Sequence, residues 1–113
     1  MAIRYYLSIP DSGALAAAGE FAFRSRGGEG LAEELQAALR DDALFQRWRA
    51  TQADPDAVDP SLGVVDPAAS VRGEQHDLRI DLVATTAIPG AVLKHRLRLL
   101  AGGGWQLRDV TDA

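Results

Sequence analysis

Two histidines and one carboxylate are the residues of this chain whose types and spacing suit chemistry. His76 falls in phase with Leu78, Ile80 and Leu82, and His95 in phase with Leu93 and Leu97, so on a period of two each shares the apolar face of a strand. A hairpin turn centred near Gly102 in the triglycine run would set Trp105 opposite Leu99, Leu107 opposite Leu97 and Asp109 opposite His95. A carboxylate beside a buried imidazole raises its pKa through opposite charge while burial lowers it, and the pair can act as an oriented general base. His76, His95 and Asp109 are therefore the catalytic candidates. Together they also have the composition of a two-histidine, one-carboxylate metal site. The plainer reading, histidines at the sheet rim that are hydrogen-bonded and partly wet, outweighs both. No metal or cofactor is assigned.

On the opposite face of the same stretch Lys94, Arg96 and Arg98 form a basic row, with Arg79 and Arg108 as neighbours. Such a row attracts a phosphate backbone or an acidic protein, and it supplies the binding candidates Lys94, Arg96, Arg98 and Trp105. Asp77 and Asp81 on the adjacent strand would offset much of it by cross-strand pairing. A net charge of -4 argues against a nucleic-acid footprint, which normally makes a domain basic.

Other stretches carry less. "RGGEG" precedes a helix but lacks the phosphate-loop spacing and lysine, and Glu29 would repel a phosphate there. Arg47 and Arg49 flank Trp48, an aromatic at helical spacing that reads as core. "DPDAVDPSLGVVDP" holds Asp54, Asp56, Asp59 and Asp66, but Asp59 falls one residue late for a calcium loop and no glutamate closes it. The prolines bias the preceding residues toward extended backbone, so 53–67 reads as a semi-rigid connector. No nucleophile elbow, dinucleotide fingerprint, kinase motif or paired zinc-ligand spacing occurs.

The elements that would position these groups follow from periodicity. Ile3, Tyr5, Leu7 and Ile9 alternate with Arg4, Tyr6 and Ser8 as a first strand, and Phe21 and Phe23 in "EFAFRS" suggest a short second one. Leu31, Leu35, Ala38 and Leu39 mark one helix face, with Glu29, Glu33 and Glu34 suited to the positive end of its dipole. The stripe slips to Leu44, Phe45 and Trp48, which implies a kink or a second helix. From Val71 onward "HDLRIDLVATT", "AVLKHRLRLLA" and "WQLRDV" read as a three-strand meander, with Pro89-Gly90 and the triglycine as turns. The expectation is one α+β domain over 1–113: an antiparallel sheet of about five strands with the helix, or kinked helix pair, packed on one face. The helix-then-meander half closing on "GGWQLRDVT" is similar to the end of nuclear-transport-factor-2-like and cystatin-like folds. That similarity covers the last strand and carries no functional residue.

With 113 residues, 47% hydrophobic and 25% charged, the chain has an ordinary globular composition. It has no cysteine, which excludes disulfides and thiolate chemistry and fits a reducing cytoplasm. Arginine vastly outnumbers lysine, asparagine is absent, and alanine, glycine, aspartate and proline abound, the bias of a GC-rich bacterial genome. Pro10, Asp11, Ser12 and Gly13 interrupt the N-terminal apolar stretch, which argues against a secretory signal, and nothing reaches the ~20 apolar residues of a membrane span. The leading expectation is a cytoplasmic, non-catalytic binding domain with a protein or small-molecule partner. The alternatives are a small-molecule-binding or hydrolytic domain with a pocket lined by His95, Asp109 and Trp105, and a homodimer formed through an exposed N-terminal edge strand.

Overall fold

The computed structural model describes residues 2–113. Along the chain run β1 (Ile3–Ile9), α1 (Gly28–Arg40), α2 (Ala43–Arg49), β2 (Ser70–His76), β3 (Arg79–Thr86), α3 (Gly90–Ala101) and β4 (Gln106–Asp112), with 3-10 turns at Ser12–Ala18, Pro55–Ala57 and Pro60–Gly63. The fold is α+β with a single antiparallel sheet, but it has four strands in the order β2-β3-β1-β4 rather than about five. Each half of the chain runs strand, helix, strand, and each half's two strands are separated by a strand of the other half. This is the split β-α-β connectivity of ferredoxin-like topology.

Two expected strands are not strands, for different physical reasons. "AVLKHRLRLLA" is α3: Val92, Leu93, Arg96, Leu97, Leu100 and Ala101 are its buried positions, a period near 3.6 that the alternation of Leu93, Leu97 and Leu99 imitates. Twelve residues rich in Leu, Arg, Lys and Ala favour helix over strand. Pro89 stands at its N-cap, and Gly102 ends it with φ 58, a conformation glycine adopts without Cβ strain. "EFAFRS" is a loop. Phe23 is buried, and its N–H donates to the carbonyl of Leu100 at 2.8 Å. The Glu34 carboxylate accepts from the N–H groups of Arg24 and Ser25 at 2.9 and 2.8 Å. Those bonds replace a ladder.

The expected meander is therefore one hairpin, β2 to β3, followed by a helix and a separate strand. The similarity to helix-then-meander folds ends there, because α3 lies between β3 and β4. The hairpin loop is Asp77-Leu78, with Asp77 at φ 58. β1 is interior, flanked by β3 and β4, so it is not an exposed edge.

α1 and α3 pack on the sheet face formed by Tyr5, Leu7 and Ile9 of β1 and Ile80, Leu82 and Ala84 of β3, and α2 packs against α1 and the Pro60–Gly63 turn. Leu31, Leu35 and Leu39 of α1 and Leu93, Leu97 and Leu100 of α3 complete one hydrophobic cluster, and burying each such side chain contributes about 1.5–3 kcal/mol. The two sheet edges are protected differently. α1 lies along β2, where the Gln36 side chain accepts from the Val71 N–H at 3.1 Å and the backbone of Gly28 meets Gly73. At β4 the Asp109 carboxylate accepts from the Val110 N–H at 2.8 Å.

Gly73 is required by that close approach, since a Cβ there would sit 2.8 Å from the carbonyl carbon of Gly28 with backbone on both sides. Gly73→Ala is expected to lower stability by about 1–3 kcal/mol as α1 is pushed from the sheet. Urea denaturation should give a lower midpoint with an unchanged slope, while Ser70→Ala, an exposed change on the same strand, leaves the midpoint within error.

Candidate functional site

The helical assignment of residues 90–101 separates the expected catalytic group. Asp109 pairs with Tyr6 on the sheet face that no helix covers, whereas His95 is on α3 in the helix layer. The sheet lies between them, and no His95 to Asp109 pair forms. The His95 ring meets Trp48 edge-on, with centroids 4.4 Å apart. Its Nδ1 is buried without a hydrogen-bond partner. Desolvation lowers its pKa below 6.5, and the charges of Arg98 and Arg96 add to the effect. His76 is exposed at the end of β2, and Trp105 is half-buried ahead of β4 with Nε1 donating to the Gly102 carbonyl at 3.0 Å. Among the described residues no group of three or more histidine, aspartate or glutamate side chains could hold a metal ion.

The basic row is dispersed for the same reason. Lys94 and Arg98 project outward from α3, but Arg96 points inward and is 1% exposed. Its guanidinium donates to the carbonyls of Ala38 at 3.2 Å, Leu62 at 3.1 Å and Val64, while its Nε has no partner. Burial lowers the pKa of Arg96, and the charges of Asp41 and Asp42 partly offset this. Arg96 is thus a structural tie between α3, the end of α1 and the Asp-Pro connector. The connector has a second anchor in Asp66, whose carboxylate accepts from Thr86 Oγ1 at 2.8 Å and from the Ala87 N–H at 2.9 Å. Those hydrogen bonds hold its pKa below 3.8.

The chemistry left accessible is on the uncovered sheet face. Register places its side chains in rows across β2, β3, β1 and β4: Arg72, Val83, Tyr6 and Asp109 in one, and Glu74, Asp81, Ser8 and Gln106 in the next. A β-bulge in β4 beside Tyr6 and Leu7 inserts Arg108 between these rows. Tyr6, Ser8, Glu74, Arg79, Asp81, Val83 and Arg108 line an open cleft of about 420 Å³. His76 Nε2 lies 3.5 Å from Asp81 and 4.0 Å from Glu74, and Arg79 lies 3.5 Å from Asp81. Ser8 is only 2% exposed and lies on the cleft floor.

No family model, curated protein or solved structure matches this chain. Sequence reasoning named His76 and counted Arg79, Asp81 and Arg108 as neighbours of a basic row, but it missed Tyr6, Ser8 and Glu74. The available signal was the polar phase of "IRYYLSI": once β1 is central and one of its faces is packed, Tyr6 and Ser8 must occupy the middle of the other.

His95 generates a pH dependence. Its folded-state pKa lies below 6.5, so the unfolded chain takes up a proton first, and stability falls as pH drops through 6.5 until the folded-state pKa is passed. His95→Phe should remove that loss. Urea midpoints at about pH 7.5 and about pH 5 are expected to differ more for the wild type than for the variant.

Proposed function

We propose that the protein is a non-catalytic binding domain whose recognition surface is the open face of the sheet, centred on Tyr6 and Val83. The observation that carries this reading is the cleft over those residues, with both signs of charge on its rim and Ser8 on its floor. Tyr6 supplies an aromatic surface with a polar tip, the side-chain type that recognition surfaces favour. Arg79 and Arg108 supply planar donors, and Glu74 and Asp81 acceptors, for orienting a ligand. His76 beside Asp81 has the composition of an acid-base pair, but it is exposed at the hairpin end and no nucleophile is hydrogen-bonded to it, so binding is the reading it supports.

A second concavity, of about 510 Å³, lies between the Glu20–Ser25 loop and the helices, with Phe21 packed under the Arg47 guanidinium. Titration of the ¹⁵N-labelled protein with a fragment panel distinguishes the two. Amide shift changes should cluster at Tyr6, Ser8, Val83 and Arg108. Changes confined to the Phe21, Leu44 and Leu100 region, or to no region at all, would contradict the proposal.

A further inference from the structure

We infer that the open-face cleft takes a zwitterion with a basic head and a separate carboxylate, of the kind presented by free arginine or by a peptide ending in arginine. This rests on the binding reading above and specifies its ligand class. The starting observation is that Glu74 and Asp81 are direct cross-strand partners, an arrangement of like charges that destabilises a sheet. The cations that offset it stand on one side only, toward the hairpin loop. Arg79 reaches Asp81, and His76, charged only when protonated, is the sole cation within 4.0 Å of Glu74. Arg72 borders the same carboxylates from the neighbouring row without forming an ion pair.

Toward β1, no cation among the described residues forms an ion pair with either carboxylate. There the floor is Ser8, directly opposite Asp81, and the wall is Tyr6. An ammonium or guanidinium at this point would donate to Asp81, Glu74 and the Ser8 hydroxyl and lie against the Tyr6 ring, which attracts cations through its π face. A neutral or anionic head would leave the facing carboxylates without a counter-charge on this side.

The far end of the cleft has the opposite sign. Arg108, placed on this face by the bulge, bonds only the side-chain oxygen of Gln106 at 3.4 Å and has no carboxylate partner among the described residues. β3 and β4 are two strand spacings apart, roughly 10 Å. The ammonium and carboxylate of a single α-carbon are too close together to bridge that span. A basic side chain and its α-carboxylate fit it, with the side chain toward Asp81 and the carboxylate toward Arg108. Since Glu74 and Asp81 balance Arg79 and Arg108 in formal charge, the cleft also suits a ligand with no large net charge.

The test is a ¹⁵N titration, up to about 10 mM, with L-arginine, its decarboxylated analogue agmatine, L-glutamate, and a pentapeptide ending in arginine with a free or an amidated terminus. Arginine should saturate the shifts of Ser8 and Tyr6, with agmatine at least tenfold weaker. Asp81→Asn should weaken arginine at least tenfold. Arg108→Gln should weaken arginine to the level of agmatine and leave agmatine unchanged, which a merely structural role for Arg108 would not do. A free-terminus peptide that binds more tightly than arginine assigns the ligand to a chain end, and the reverse order assigns it to the free amino acid. If glutamate or neutral fragments move the open-face amides and arginine does not, the ligand class is wrong and the binding face survives. If no probe moves them, both fail.

Discussion

Arg96 takes a permanent positive charge into the interior with only main-chain carbonyls to receive it. Three segments distant in sequence must converge for those carbonyls to be present: the last turn of α1, the Pro60–Gly63 turn with Val64, and α3 itself. Removing any one strands a buried charge, which costs far more than the net value of the bonds. Only a guanidinium could span these acceptors, because its donors fan out in one plane. The interaction sets where the connector runs and how the helices sit relative to each other.

The layered arrangement follows. The helices are gathered on one side of the sheet and share a single hydrophobic cluster with β1 and β3, and the connector is tied to them through Arg96. Among the described residues, no element covers the other side. An antiparallel sheet tolerates this, with one face packed and one face wet. The wet face then departs from the usual scatter of surface polar groups, since it brings together facing carboxylates, a cleft-floor serine and an arginine with no carboxylate partner among the described residues around one tyrosine. Arrangements that lose stability locally while adding polar complementarity are what binding surfaces tend to retain.

Much of this was legible in the sequence, and the failures have definite causes. The first strand, the main helix, the slip at Arg40–Asp42 and the Asp-Pro stop all reflect local chemistry that tertiary structure did not override. α3 was misread because Leu93, Leu97 and Leu99 satisfy a period of two, and because Arg96, polar by type, occupies a core position of the helix. A buried arginine hides the 3.6 period it belongs to. That single ambiguity moved His95 to the wrong layer and dissolved the expected His95–Asp109 pair and basic row together. The open-face site was less visible still, since Ser8 joins the hairpin pair Glu74 and Asp81 only through the strand order β2-β3-β1-β4, which no local pattern encodes.

The division of labour between the two faces has a direct measurement: equilibrium unfolding in urea of Arg96→Met and Glu74→Gln beside the wild type. Arg96→Met should lose about 2–4 kcal/mol, since it orphans carbonyls in the interior. Glu74→Gln, which removes half of a facing carboxylate pair, should stay within about 0.5 kcal/mol of the wild type or gain slightly. A large loss for Glu74→Gln, or an unchanged Arg96→Met, would contradict the view that the helix layer holds the fold and the open sheet face is free to bind.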